Sequence, residues 1–313
     1  MSPFKFRTTL LLLFCSACFN KGASAEINVV TTIKPLHSIV SNIMSGVSTP
    51  KLLMHATISP HDFKLKPSNI INLNKADVIF WIGPSLENKM AKVIQKVAKS
   101  ISVIELLKSP NLKLLPIKSL SLKLLHSRTT EGSHGHDHSI IDPHIWMSIE
   151  NAQVIAYEVY QTLALRDKSH RKIYQKNYEK FKIELKLLRT QVQSKVRTIS
   201  KSAFIVYHDS VQYFEDEYRL HGQGPVITTA KHRPGARRVS ILRKQIFKDN
   251  TICIFSEPQY SHKILETITK GSRTQIATLD TIGSTLKPGV KLYGDLMNKV
   301  ATTMFNCLSK NPF

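Results

Sequence analysis

The chain contains 313 residues, a length at which a single hydrophobic core usually gives way to two lobes. Lysine and arginine total 44 against 22 aspartates and glutamates, a formal charge of +22. Such an excess can indicate nucleic-acid binding. The lysines are dispersed through predicted helices, however, and no basic run alternates with the aromatic residues that stack on bases. We therefore expect no nucleic-acid partner and interpret the charge as a solvated basic surface.

Residues 1–25 have the pattern of a secretory signal peptide. Lys5 and Arg7 precede an apolar run, and the small residues Ala23, Ser24 and Ala25 end the segment. The apolar run, from residue 8 to residue 19, is shorter than the ~20 residues that cross a bilayer, which argues against a membrane anchor. Cleavage after Ala25 would release the mature chain into the periplasm and lower its charge to +19.

The roles predicted for the four cysteines depend on whether residues 1–25 are a cleaved signal peptide. Cys18 could instead be a lipid-attachment site, although Cys15 stands upstream where such sites usually carry leucine. Removal of the leader leaves Cys253 and Cys307, an even pair in an oxidising compartment, so the sequence predicts a disulfide. The alternative is two buried thiols, because TICIF around Cys253 has the composition of an interior strand.

Residues 26–166 alternate between predicted strands and helices. EINVVTTIKPLHSIVSNI passes from an apolar strand into a helix, and the following segment repeats strand, loop, helix, strand and helix. Such alternation predicts an α/β lobe with a parallel sheet. VIFWIG is apolar throughout, as expected for a strand covered on both faces.

The stretch from His126 to Trp146 contains five histidines. The hydrophobic periodicity fades before it, so residues 126–140 are predicted to form a polar loop that carries His134, His136 and His138. These three histidines could form a weak second metal site or belong to a solvated loop without a function. His144 differs from them because it precedes the apolar residues IWM, which indicate packed structure.

A long linking helix is predicted at residues 167–199, where apolar residues recur at three- and four-residue spacing. A second α/β lobe, residues 200–313, follows. AFIVYHDS, TICIFSEP and QIATLD are its predicted strands, and each leads into polar residues. Ligands of open α/β sheets bind at these carboxyl ends of the strands.

Four polar residues stand at strand ends or loop starts: His61, His144, His208 and Asp280. Three imidazoles and one carboxylate suit Zn²⁺, which prefers four nitrogen, sulfur or oxygen ligands in a tetrahedron. The residues are far apart in sequence, so the spacing by itself is a weak signal. A histidine after a strand is more often a hydrogen-bonding residue than a metal ligand.

The sequence resembles the periplasmic zinc-binding proteins of ABC importers, the ZnuA type. The resemblance rests on TTIKPLHSIV, SPHDFKLKPSNIINLNKADVIFWIGPSLE, DPHIWMS, FIVYHDSVQYFEDEYRL, IFSEPQYSHKILETI and ATLDTIGS, in that order. It implies two α/β lobes joined by a rigid helix, with Zn²⁺ between them on His61, His144 and His208. It also implies a monomer that delivers zinc to a membrane permease and its ATPase, and no enzymatic activity.

The sequence leaves the identity of the fourth ligand and of the metal undecided. Some zinc-binding members have a glutamate where this chain has Pro60, so Asp280 or water is expected to complete the site. Manganese-binding relatives generally have an acid where His208 stands, which favours zinc. A manganese or iron carrier and a metal-binding adhesin are the alternatives. A zinc hydrolase is disfavoured because HExxH, G-x-S-x-G and P-loop motifs are absent.

Two acidic residues adjoin the expected cleft. Glu257 follows one predicted strand, and Asp209 is next to His208. A carboxylate often accepts the free N–H of a metal-binding imidazole and thereby fixes its tautomer. The sequence does not decide which of the two does so, and either could instead cap a helix.

We predict that the mature chain begins at Glu26, because the small residues before it fit signal peptidase better than Cys18 fits a lipid anchor. Mass spectrometry of the exported protein checks this. A chain that begins at an acylated Cys18 would contradict it.

Overall fold

The computed structural model describes residues 26–55, 58–97, 101–118, 141–227 and 234–310. The predicted signal peptide and four of the loop histidines lie outside these ranges: His126, His134, His136 and His138. Within the ranges, no helix has both the length and the apolar composition needed to cross a membrane.

The first lobe contains a four-stranded sheet in which all paired strands are parallel. In chain order the strands are Val29–Thr31 (β1), Lys51–Leu52 (β2), Val78–Trp81 (β3) and Ser102–Glu105 (β4). Their spatial order is β2-β1-β3-β4. The central strands β1 and β3 are buried along their whole length, which explains their apolar sequences.

The described helices of this lobe are Lys34–Ile43 (α1), Pro67–Asn74 (α2), Asn88–Val97 (α3) and Ile149–Arg166 (α4). Proline lies in the first turn of α1 and of α2, where its missing N–H removes no helical hydrogen bond. Ser148 caps α4 by accepting a hydrogen bond from the backbone N–H of Asn151.

The linking helix is Arg171–Val196 (α5), with 26 residues and a length of about 39 Å. Short 3₁₀ turns at Lys168–His170 and Arg197–Ile199 flank it. Its buried residues form one stripe: Tyr174, Tyr178, Phe181, Leu185, Leu188, Val192 and Val196. The predicted long helix is therefore confirmed, and burial of this stripe is the reason for its apolar period.

The second lobe repeats the topology of the first. Its parallel strands are Phe204–Val206 (β5), Gly222–Pro225 (β6), Cys253–Ser256 (β7) and Gln275–Thr278 (β8), in the order β6-β5-β7-β8. Its described helices are Gln212–Tyr218 (α6), Ala236–Lys248 (α7), Lys263–Thr269 (α8) and Leu292–Leu308 (α9). The predicted fold class, two α/β lobes with parallel sheets and a long connecting helix, is confirmed.

β6 has no strand signal in the sequence. Its residues GQGP are typical of a turn. β6 lies at the edge of its sheet and pairs with β5 through an irregular register, positions that tolerate glycine and proline. A side chain at Gly222 would also meet the carboxylate of Glu215, which would then have to move.

Hydrogen bonds connect the two lobes. The buried Lys34 ammonium on α1 donates to the backbone carbonyl oxygens of Gly283, Ser284 and Leu286 at 3.1, 2.8 and 3.1 Å. A side chain of the second lobe also bonds to the first: the Glu217 carboxylate on α6 accepts a hydrogen bond from the backbone N–H of Ile149, at the start of α4, at 2.8 Å. A continuous hydrophobic core joins both lobes to α5. The domain boundaries at residues 166 and 199 stay a prediction.

The disulfide predicted between Cys253 and Cys307 is present. It joins β7 to the last turns of α9, and both cysteines are buried. The bond therefore fastens the C-terminal helix to a central strand of the second lobe.

We expect Cys307→Ala to lower the free energy of unfolding by about 4 kcal/mol, because the bond closes a loop whose ends are 54 residues apart. Urea unfolding followed by circular dichroism measures the loss. The double variant with Cys253→Ala should lose little more, since the first change already breaks the bond. Two reactive thiols in the unfolded, unreduced natural chain would contradict the assignment.

Candidate metal centre

Three histidines converge between the lobes. His61 lies in a turn after β2, His144 precedes the 3₁₀ turn Ile145–Met147, and His208 follows β5 by two residues. One possible ligand nitrogen from each ring lies within 4.8 Å of the others. The ring centroids are 5.0 to 5.9 Å apart, and the rings meet edge to face. His144 is buried, whereas His61 is partly exposed.

The sheet order explains the place of His208. In the order β6-β5-β7-β8, the connections from the two central strands leave in opposite directions, which opens a crevice at their carboxyl ends. His208 follows β5, and Glu257 directly follows β7. Their side chains meet, with Nδ1 of His208 against a carboxylate oxygen of Glu257.

A second carboxylate orients His144. Asp142 Oδ1 accepts the backbone N–H of His144 at 2.9 Å and lies 2.6 Å from Nδ1 of the same ring. The short segment Asp-Pro-His thus contains both the imidazole and the group that orients it. Each carboxylate takes the Nδ1–H, which leaves Nε2 of His144 and of His208 to face the shared space.

Burial and neighbouring charges set the protonation of these groups. Burial, reinforced by nearby His208, lowers the pKa of His144 to about 3, so its ring is neutral at pH 7. Burial also opposes the charged form of His208, but the Glu257 carboxylate outweighs it and raises the pKa of His208. Burial raises the pKa of Asp142 to about 7.

The Nε2 atoms of His144 and His208 lie 3.2 Å apart. Two nitrogen ligands of a tetrahedral Zn²⁺, each at 2.0–2.1 Å from the ion, are about 3.3 Å apart. The two rings therefore already have the separation of two zinc ligands. In this geometry a metal ion can take the place of a proton shared between the rings.

The cavity at the histidines has a volume of about 10 Å³. This is room for a single ion or water molecule. Trp146 forms one wall, with its ring centroid 5.3 Å from that of His144, and its Nε1–H donates to the backbone carbonyl of Thr281 at 2.9 Å. The space between the histidines therefore has the size of a single ion.

Asp280 is not brought into the group of three histidines. Its carboxylate organises the loop after β8, where it accepts the backbone N–H groups of Ile282, Ser284 and Thr285 at 3.0 to 3.3 Å and the Ser284 hydroxyl at 2.9 Å. Whether Asp280 or water is the fourth ligand stays a prediction. The weak second site on His134, His136 and His138 also stays a prediction, since those residues lie outside the described part of the chain.

Of the two acidic residues near His208, one contacts its ring. Glu257, not Asp209, contacts the ring of His208. Asp142 was not anticipated from the sequence as the partner of His144, although its place two residues before that histidine could have indicated it.

We expect Glu257→Gln to weaken metal binding by about 10- to 100-fold, because the ring of His208 loses the anion that orients it and strengthens it as a ligand. Zinc titration against a competing chelator gives the affinity. Glu266→Gln, an exposed residue on α8, is the matched control and should have no effect. Equal affinities for the two variants would show that Glu257 has no part in orienting the ligand.

Comparison with known proteins agrees with this geometry. A family model described as "Zinc-uptake complex component A periplasmic" matches residues 29–307. The chain is 32% identical to the high-affinity zinc uptake system protein ZnuA of Brucella suis, over 94% of this chain and 95% of that protein. It is 27% identical to ZnuA of Yersinia pestis, over 93% of each.

The fold is also similar to that of the periplasmic zinc-binding protein TroA from Treponema pallidum. The TM-score is 0.75 at 21% identity, with coverage of 90% of this chain and 99% of TroA. The match of the family model over most of the chain, together with the Brucella relative, shows that this chain belongs to the ZnuA family.

Proposed function

We propose that this protein captures Zn²⁺ in the periplasm and delivers it to the membrane permease of an ABC transporter, together with its ATPase. The observation that carries the proposal is the set of three imidazoles, two of which have their Nε2 atoms 3.2 Å apart and their Nδ1 atoms held by carboxylates. The names of the Brucella and Yersinia relatives support zinc as the transported ion.

The captured ion is held by residues of both lobes. His61 and His144 belong to the first lobe and His208 to the second, so the ion lies across their interface. Binding favours the closed arrangement by the ligand contacts that an open one lacks. The shared core and the Lys34 hydrogen bonds limit the movement to a small tilt.

Three imidazole ligands select among divalent metals. Imidazole suits zinc, whereas manganese and magnesium favour carboxylate and water oxygens. The two carboxylates at this site face the Nδ1 atoms of the rings. They therefore act through the histidines, and zinc is favoured over manganese or iron.

The fourth position is taken by Asp280 or by water. Asp280 can reach the ion only if it gives up its hydrogen bonds to the loop after β8. Water needs no such rearrangement and leaves the site with an exchangeable ligand. A permease could begin the transfer of zinc by replacing that water.

A carrier explains the cavity better than an enzyme does. A zinc hydrolase needs three protein ligands, a water and room for its substrate. The space of about 10 Å³ has no such room. We therefore assign the protein a transport role without a catalytic step.

We predict that His208→Ala weakens zinc binding by more than about 100-fold, because it removes the single imidazole that the second lobe contributes. Calorimetry against a competing chelator measures the loss. His136→Ala, in the predicted loop 126–140 of the first lobe, is the control and should change the affinity less than about twofold, since ordering a loop opposes tight binding there. Small and equal losses would show that the metal is held elsewhere.

Zinc, manganese and iron are distinguished by metal analysis of protein purified without added metal. Zinc at one equivalent per chain agrees with the proposal. Manganese or iron at that stoichiometry would replace it with the alternative carrier.

A further inference from the structure

The linking helix α5 exposes a stripe of basic and apolar residues. We call it the outer stripe, and it consists of Lys172, Lys176, Lys180, Ile183 and Leu187. All five residues are exposed. Their spacing of four, four, three and four residues aligns them along one side of the helix.

The outer stripe points away from the core. Lys176, Lys180, Ile183 and Leu187 each stand two residues after a member of the buried stripe, which places them about 200° around the helix from it. This side of the 26-residue helix is therefore turned away from the buried stripe and exposed to solvent. A flat partner can contact all five residues at once.

The two apolar members are unusually exposed. Ile183 is 62% and Leu187 59% exposed, and their side chains are neighbours at i and i+4. α7 also exposes two large apolar residues, Ile241 and Phe247, but their spacing of six residues puts them about 120° apart around the helix. Of these two helices, only α5 has both apolar side chains on the same side, where they can contact one flat surface.

The charge of α5 indicates the chemical nature of the flat partner. The helix has eight lysines and arginines and two acids, Glu179 and Glu184. The acids lie 3.6 and 3.7 Å from Lys182 and Lys180, in exposed pairs that screen little of the excess. The surface that complements this face is anionic, extended and able to accept two aliphatic side chains.

We propose that the outer stripe binds the surface of an anionic phospholipid bilayer. A basic helix with a few apolar side chains on the same side is suited to the boundary between headgroups and acyl chains. Each lysine near an anionic surface strengthens binding by roughly fivefold, so several act together to give reversible attachment. The net charge, +22 for the full sequence and +19 after the predicted cleavage, adds a long-range attraction of the same sign.

Other partners fit this face less well. A second copy of the chain would bring two basic helices together. A nucleic acid would find no aromatic side chain on the stripe on which to stack its bases. None of His61, His144 and His208 lies on α5, so attachment leaves the metal centre accessible and keeps the carrier near the membrane.

The test is co-sedimentation of the exported protein with vesicles of phosphatidylglycerol and phosphatidylcholine in equal parts. Vesicles of phosphatidylcholine alone are the second arm. We expect binding to the anionic vesicles that is lost in high salt, weak binding to the neutral ones, and no difference between metal-free and zinc-loaded protein. Equal binding to both vesicles would indicate a lipid anchor or general adhesion and would overturn the proposal.

Two pairs of variants locate the contact. Lys176→Gln with Lys180→Gln should weaken binding about 25-fold, whereas Lys92→Gln with Lys96→Gln on α3, which changes the net charge equally, should weaken it only slightly. Ile183→Ser with Leu187→Ser should cost about tenfold, and Ile241→Ser with Phe247→Ser little. Equal losses in the two lysine variants would show attraction by net charge without a defined surface, and equal losses in the two apolar variants would show general hydrophobic adhesion. Self-association of the natural chain that the Ile183 and Leu187 changes abolish would assign the stripe to a dimer instead.

Discussion

An imidazole can present either ring nitrogen, and a site built from three of them works only if the free lone pairs point to one place. In this protein two carboxylates decide the matter, with Asp142 at Nδ1 of His144 and Glu257 at Nδ1 of His208. Because each Nδ1–H is held, each Nε2 faces the cavity. The directions of these two rings therefore depend on the two acidic side chains.

The orientation of the histidine rings in turn depends on how the lobes pack. Asp142 and His144 are two residues apart, so local geometry sets their contact. Glu257 and His208 come from neighbouring parallel strands and meet because β5 and β7 pair in the centre of their sheet. The two halves of the site face each other because α5 and the shared core hold the lobes together.

The site also has to attract a cation to a strongly basic protein. A net charge of +22 repels Zn²⁺ at long range. Near the three histidines the Glu257 carboxylate offsets part of this repulsion, whereas burial raises the pKa of Asp142 to about 7 and of Asp209 to about 6, so these two groups carry less negative charge. The basic residues of α5 belong to a different surface, so capture of the metal and attraction to an anionic partner are separated in space.

Local sequence patterns were enough to predict the features that arise from neighbouring residues. The apolar runs of β1, β3, β5 and β7 predicted buried parallel strands, and the apolar period predicted α5, because burial of a face imposes a repeat on nearby residues. The even pair of cysteines predicted the disulfide. The resemblance to a known family identified the three histidines, which their wide separation in sequence could not have done.

Features that depend on residues far apart in the chain could be assigned only from the folded protein. β6 is a strand because an edge position tolerates its glycines and proline, and no local pattern announces this. Glu257 rather than Asp209 contacts His208 because strand pairing, not adjacency in sequence, sets the distance between side chains. Asp280 stands after a strand, as a ligand would, but its oxygens are engaged by the backbone N–H groups of its own loop. A sequence fixes which groups are available, whereas their hydrogen-bond partners follow from the close packing of segments that are far apart along the chain.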